Sequence, residues 1–135
     1  MKIFILEDDE NRIEGFKHAI KDSHDLTICR WLKDSPLISI KRGAYELFHP
    51  PYDLILLDHD LGGQQYVDSN EEETGYQFAK FIAAASKGID ETWIIVHSYN
   101  PEGAAAMVQV LRESGWRQTI KIPFSKQLLD YLETL

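Results

Sequence analysis

Four aliphatic residues in a row stand between two acids in the stretch Asp53-Leu54-Ile55-Leu56-Leu57-Asp58. A strand that meets water on one face alternates apolar and polar residues, and this stretch shows no such alternation. A continuous apolar run is typical of a strand that is covered on both faces, as in a parallel sheet packed between two layers of helices. The stretch therefore predicts an α/β fold in which this strand lies inside the sheet.

Strand and helix patterns alternate along the rest of the chain. Apolar runs predict four more strands, at residues 3–6, 26–32, 92–96 and 118–122. Apolar residues at helical spacing, with capping and terminating residues beside them, predict five helices, near residues 11–20, 36–48, 75–86, 101–113 and 125–132. Parallel neighbours require crossover connections, so we expect a three-layer, doubly wound (βα)5 sandwich with the flavodoxin-like strand order 2-1-3-4-5.

The composition limits the classes of function. A length of 135 residues with 44% hydrophobic content predicts a single domain over residues 1–135. The formal net charge of −8 repels phosphate backbones and anionic lipid, which argues against broad nucleic-acid binding and against a membrane partner. Cys29 is the only cysteine, and no apolar run is long enough to span a membrane. These features predict a cytoplasmic protein.

Acidic residues follow two strands that are neighbours in the expected order. Asp8 and Asp9 follow the first strand and Asp58 follows the third, so their side chains should share one crevice at the carboxyl ends of the strands. Carboxylates that lie so close together repel one another unless a cation neutralises their charge. Their oxygen atoms are suitable ligands for a hard divalent ion. We expect Mg²⁺ here, or another divalent ion such as Mn²⁺. The alternative is that the acids cap helices, as Asp9 would cap the helix near Asn11.

These motifs resemble the receiver domains of two-component response regulators, which are CheY-like. The similarity lies in residues 1–11, with three acids after an apolar strand, and in residues 52–58, which end in Asp58. It extends through Ile94-Ile95-Val96 with Ser98, and through Ile122-Pro123-Phe124-Ser125 before the last helix. The resemblance covers nearly the whole chain and implies the same fold.

The resemblance also implies roles for single residues. Asp58 would be the phosphoacceptor, Asp8 and Asp9 the metal-binding pair, the carbonyl of Asp60 a further ligand, and Ser98 the hydroxyl that senses the phosphoryl group. Metal and carboxylates would then support phosphoryl transfer by positioning and by neutralising charge. The partner implied by this reading is a histidine kinase.

The end of the fifth strand departs from the receiver pattern. Receivers carry Lys-Pro-Phe there, and the lysine pairs with the acyl phosphate, whereas this chain has Ile122 before Pro123 and Phe124. Lys121 is displaced by one residue, and in a strand one step turns a side chain to the opposite face. Lys121 is therefore either a phosphate-binding cation re-aimed by a bulge or a solvated charge on an edge strand.

A second departure is the extended loop at residues 61–74. Loops from strand to helix in α/β units usually run roughly 2 to 6 residues, and this segment is longer, polar and hinged by glycines. Its position beside the acidic crevice fits a lid, while the alternative is a tolerated insertion. The acidic run Glu71-Glu72-Glu73 favours the N-terminus of the next helix more than it suits metal binding.

Two histidines form the third departure. His59 follows Asp58, and His97 precedes Ser98, so both stand at the carboxyl ends of predicted central strands. Histidine titrates near neutrality, and a pair beside a metal site can act as general base and general acid on a phosphoester. The alternative is that each imidazole is buried and bonded to a loop carbonyl.

Two segments narrow the resemblance to a divergent branch of the receivers. Residues 57–62 and 96–107 are similar to the Asp-His-Asp-Leu-Gly and His-Ser-x-Asn-Pro-x-Gly-Ala pairing of the cyclic-phosphate-processing receiver-like family. The resemblance implies a phosphoesterase role on cyclic phosphates, for which a displaced lysine and a long loop are acceptable. The helix that begins after Asn100 offers free N–H groups to an anion, or is simply an ordinary capped helix.

Three functions follow from these patterns. The first is a metal-dependent phosphoesterase (a hydrolase) in which His59, His97 and Asp58 carry the chemistry, while Ser98, Asn100 and Lys121 are the candidates that bind or sense phosphate. Its substrate would be a phosphorylated small molecule or a cyclic phosphate end. The second is a stand-alone response regulator in a phosphorelay, and the third is a receiver-derived protein-binding module without catalysis.

Overall fold

The computed structural model describes residues 1–30, 52–61, 68, 74–85 and 90–135. It contains the five predicted strands: β1 (Lys2–Leu6), β2 (Asp25–Cys29), β3 (Leu54–Leu57), β4 (Trp93–Val96) and β5 (Thr119–Lys121). The helices in the described ranges are α1 (Glu10–Ala19), α2 (Gly75–Ala85), α3 (Pro101–Glu113) and α4 (Lys126–Glu133). The helix predicted near residues 36–48, and residues 31 and 32 of the second predicted strand, lie outside the described residues.

The strands form one parallel sheet in the order β2-β1-β3-β4-β5, which confirms the predicted topology. Leu6 lies beside Leu57, and Leu57 lies beside Val96. The residues that follow these three positions therefore stand in one row at the carboxyl edge of the sheet. They are Glu7, Asp58 and His97.

Alternate residues of each strand face opposite helical layers, as the period of two requires. Leu6, Leu57 and Val96 pack into a buried cluster with residues of α2 and α3. Ile5 and Leu56 pack into a second cluster with residues of α1 and α4. Since Glu7, Asp58 and His97 each come one step after the first set, their side chains belong to the face that carries α1 and α4.

The two ends of the extended loop lie against each other beside this edge. Asp60 and Thr74 form an isolated antiparallel bridge, and the Gly75 N–H donates to the His59 carbonyl at 2.8 Å. A Cβ atom on Gly75 would lie 1.8 Å from the Asp58 carbonyl oxygen, so the backbone can approach this closely only at a glycine.

In the described part of the chain, no helix has both the length and the apolar character needed to cross a bilayer.

Candidate functional site

Two carboxylates and one imidazole meet at the carboxyl edge of the three central strands. One possible ligand atom from each of Glu7, Asp58 and His97 lies within 4.8 Å of the others. The exposed fractions of these residues are 0%, 3% and 0%, so the group is closed off from bulk water. We call these three residues the acidic cluster.

Hydrogen bonds fix the orientation of each member. His97 Nε2 lies 3.1 Å from Glu7 Oε1, and the other carboxylate oxygen of Glu7 accepts the Asp8 N–H at 3.0 Å. Asp58 Oδ1 accepts the His59 N–H at 2.9 Å. His97 Nδ1 is buried and has no hydrogen-bond partner among the described residues. The His97 ring packs edge-on against Phe16 of α1, with 5.1 Å between the ring centroids.

Burial sets the protonation of the acidic cluster. Desolvation raises the pKa of Asp58 to about 7, against the favourable charges of His97 and Arg12, and it also raises the pKa of Glu7. Desolvation lowers the pKa of His97 to about 4, although the Asp58 charge opposes this shift. The imidazole is therefore neutral at physiological pH, and Asp58 holds its proton over much of the range below neutrality.

The acidic cluster fits a divalent metal ion. Bonds of about 2.0 to 2.6 Å place two donors on opposite sides of one ion up to roughly 5 Å apart, which is the spread found here. A neutral imidazole offers its lone pair, and carboxylate oxygens suit Mg²⁺ and Mn²⁺. A bound ion would also offset the desolvation that raises the pKa of both carboxylates.

The structure separates the acids that follow β1. Asp9 accepts the Arg12 N–H at 3.0 Å and is the N-cap of α1, which is the alternative that the sequence left open. Asp8 is half-buried, and the exposed Asp9 lies farther along the turn. Glu7, which sequence reasoning did not count as a ligand, is the acid that joins Asp58. Counting strand alternation from Leu6 would have found it.

Replacing Asp9 with alanine should lower the free energy of unfolding by about 1 kcal/mol, because α1 loses its capping acceptor. The affinity for Mn²⁺ should stay within threefold of the parent, since the Asp9 side chain caps α1 and is not part of the acidic cluster. Urea denaturation and a Mn²⁺ titration measure the two quantities. Loss of Mn²⁺ binding with unchanged stability would restore Asp9 as a metal ligand.

His59 lies in a different cluster from His97. Its Nδ1 is 2.7 Å from Asp60 Oδ1, and Asn100 Nδ2 lies 3.2 Å from the same oxygen. A Cβ atom on Gly103 would come within 2.4 Å of the imidazole, so the ring packs directly on the first turn of α3. His59 is fully buried there, on the face of the sheet opposite to the acidic cluster. The Asn100 side chain also caps α3 by accepting the Gly103 N–H at 2.9 Å.

Neither Ser98 nor Lys121 is part of the acidic cluster. The Ser98 hydroxyl accepts the Asn100 N–H at 3.0 Å within a turn, and His97, the residue that follows β4, is the one whose charge acts on Asp58. Ile120 and Ile122 pack toward α1 and α4, so the exposed Lys121 between them points to the other face. There it lines a groove with residues of α3, as the displaced register predicts.

A parallel sheet of this order, with acids at the carboxyl edge of its central strands, is the architecture expected of a receiver domain. A sequence model of the cyclic-phosphate processing receiver domain family matches residues 1–113, and the chain belongs to that family. No match was found among curated proteins.

Solved receiver structures share the fold at low sequence identity. The Mn²⁺-bound form of response regulator Rcp1 is 20% identical, with a TM-score of 0.60 over 98% of this chain and 89% of that one. The phosphorylated cyanobacterial phytochrome response regulator RcpA is also 20% identical, with a TM-score of 0.65 over the same shares. The response regulatory domain of mrkE from Klebsiella pneumoniae is 17% identical, with a TM-score of 0.55 over 99% of this chain and 93% of that one.

Proposed function

We propose that this chain is a divalent-metal-dependent phosphoesterase that acts on a cyclic phosphate at the acidic cluster. The observation that carries the proposal is the meeting of two buried carboxylates with a neutral imidazole, Glu7, Asp58 and His97, within 4.8 Å. The description of the family, cyclic-phosphate processing, supports the substrate class. The Mn²⁺-bound receiver among the structural relatives supports a metal of this type.

Each member of the acidic cluster has a role in this proposal. Glu7, Asp58 and His97 would hold the metal, and a bound metal would supply Lewis acidity toward a phosphate oxygen and a water molecule. Glu7 fixes the imidazole through the contact at 3.1 Å, so the ring is already oriented before a ligand arrives. The burial of all three residues excludes bulk water and strengthens the electrostatic interactions in the pocket.

The remaining predicted residues act from farther away. The side chain of Asp60 binds His59 and Asn100, so this group holds the start of α3 against β3 and supports the pocket from the other face of the sheet. We retain His59 as a catalytic candidate and the carbonyl of Asp60 as a candidate ligand. Asp8 remains a candidate for a further metal ligand beside Glu7. Asp9, the other acid of the predicted metal-binding pair, caps α1, and the Mn²⁺ titration of Asp9→Ala tests whether it is a ligand.

A second candidate is a response regulator that is phosphorylated on Asp58 by a histidine kinase. The position of Asp58 directly after β3, and the phosphorylated receiver RcpA among the structural relatives, favour it. The displacement of Lys121 to the other face of the sheet weakens it, because receivers use a lysine at the end of the fifth strand to pair with the acyl phosphate.

The proposed activity is tested with a panel of cyclic phosphodiesters, 2′,3′-cyclic and 3′,5′-cyclic nucleotides among them, in the presence of Mn²⁺ or Mg²⁺. We expect metal-dependent turnover that falls at least a hundredfold in Asp58→Asn, which loses the negative charge of a proposed ligand, and in His97→Ala, which loses the ligand itself. Asp130→Asn is the matched control, since its exposed carboxylate only pairs with Lys126 on α4. Turnover should be unchanged in that variant.

Incubation with acetyl phosphate and Mg²⁺ separates the two candidates. A mass gain at Asp58 without turnover of any cyclic phosphodiester would contradict the phosphoesterase and support the response regulator. Turnover without a mass gain is the result that we expect. If neither occurs and no divalent ion binds, the receiver-derived binding module is the remaining function.

A further inference from the structure

The Arg12 side chain contacts both acids of the pocket. Its Nη1 lies 3.4 Å from Glu7 Oε1 and 3.8 Å from Asp58 Oδ2. Among the residues that the structure describes, no other lysine or arginine nitrogen comes within 4.0 Å of either carboxylate. The two acids are buried, whereas the Arg12 side chain is 20% exposed. Arg12 therefore stands between the acidic cluster and solvent.

Two aromatic rings hold the guanidinium in place. Its central carbon lies 4.5 Å from the centroid of the Tyr99 ring and 5.6 Å from that of Phe124. The Tyr99 hydroxyl donates to the Phe124 carbonyl, which ties the two rings together. Cation–π contacts of this kind orient an arginine without using its N–H donors. Within the described part of the chain, Nε and Nη2 of Arg12 have no carboxylate partner.

The proposed metal site needs one more positive charge when a phosphate group binds. The carboxylates of Glu7 and Asp58 together neutralise a single divalent ion, so a phosphodiester that enters beside the ion brings a negative charge with no counterpart. Arg12 supplies that counterpart from the rim of the pocket. Its planar fork of donors suits the paired oxygens of a phosphate group. Lys121 points to the other face of the sheet and cannot take this part.

We propose that Arg12, held against Tyr99 and Phe124, is the phosphate-binding cation of this site. The inference rests on the proposed function for its substrate class. Arg12 would bind the phosphate oxygens that the metal does not contact. Recognition of the anionic ligand then comes from α1, which carries Arg12, and not from β5, which carries Lys121.

The test measures metal binding and anion binding separately in the parent, Arg12→Ala, Arg12→Lys and Lys121→Ala. Free Mn²⁺ is followed by electron paramagnetic resonance, and inorganic phosphate is titrated calorimetrically into each Mn²⁺-saturated protein. We expect phosphate affinity to fall at least tenfold in Arg12→Ala and three- to fivefold in Arg12→Lys, which keeps the charge but loses the fork. It should stay within twofold in Lys121→Ala, and Mn²⁺ affinity should not weaken in any variant.

Three outcomes would overturn the inference: phosphate affinity that is unchanged in Arg12→Ala, an equal loss in Lys121→Ala, or no phosphate binding by the Mn²⁺-loaded parent. Loss of Mn²⁺ binding in Arg12→Ala and Arg12→Lys would also overturn it, because Arg12 would then serve the metal pocket. Absence of cyclic phosphodiester turnover, with phosphate binding that still depends on Arg12, would reject the proposed function and leave the anion site in place.

Discussion

Replacing Gly75 with alanine should lower the free energy of unfolding by about 3 kcal/mol or more. The added Cβ would lie 1.8 Å from the Asp58 carbonyl oxygen and 2.9 Å from the His59 Cα, and both are backbone atoms that cannot rotate away. Relief requires α2 to move off β3, which breaks the bond from the Gly75 N–H to the His59 carbonyl. Overpacking against fixed atoms reaches this size or exceeds it.

Gly15→Ala is the matched control for this prediction. Its Cβ would meet the end of the Phe124 side chain at 3.2 Å, which can shift, and alanine gains about 0.5 to 1 kcal/mol over glycine inside a helix. Stability in this variant should stay within about 1 kcal/mol of the parent by that balance. Urea denaturation followed by tryptophan fluorescence measures both variants. Equal stability of the two would show that the approach of α2 to Asp58 is looser than the structure indicates.

Replacing Asp58 with asparagine should stabilise the metal-free protein by about 4 kcal/mol at pH 8. The pKa of Asp58 is about 7 in the folded protein against an ordinary value of 3.8, so the folded state binds the extra proton between these two pH values. The stability of the parent relative to the variant is therefore highest near pH 4 and falls as the pH rises through 7. Since His97 is common to both proteins, its opposite dependence between pH 4 and 6.5 largely cancels.

Metal should remove much of this difference. An ion at one hundred times its dissociation constant adds about 2.7 kcal/mol to the parent and little to Asp58→Asn, which lacks the negative charge of one carboxylate. Thermal and urea unfolding are measured for each protein at pH 5 and pH 8, with and without Mn²⁺, which gives its stability under four conditions. Asp130→Asn should follow the parent in all of them, because its carboxylate is exposed. If Asp58→Asn is less stable than the parent at pH 8 without metal, neighbouring groups offset the cost of burying the charged Asp58 carboxylate, and the prediction is wrong.

Much of the fold follows from short-range patterns in the sequence. The apolar runs at residues 3–6, 54–57 and 93–96 contain no polar position, so they predict inner strands of a parallel sheet. The alternation of strand and helix then left few topologies to consider. The orientation of Lys121 was also predictable, because side-chain direction in a strand depends only on the count from its neighbours.

The site was less predictable, for reasons that differ between residues. Glu7 was passed over because the acids after β1 were taken as a motif and not counted from the strand. His59 and His97 were expected beside one another. His97 stands level with Asp58, however, and His59 is one residue further along its chain segment, so the two imidazoles face opposite layers of helices. His59 packs on Gly103, and His97 packs on Phe16. Arg12 was beyond prediction, since its reach depends on two rings from distant parts of the chain.

The bridge between Asp60 and Thr74 has a consequence for how this domain can change over evolution. The two ends of the intervening segment are clamped to each other and to the backbone of His59, so the sheet does not depend on what lies between them. We expect that changes of length between residues 61 and 73 leave the position of Asp58 unchanged, because the closing contacts at Asp60, Thr74 and Gly75 lie outside them.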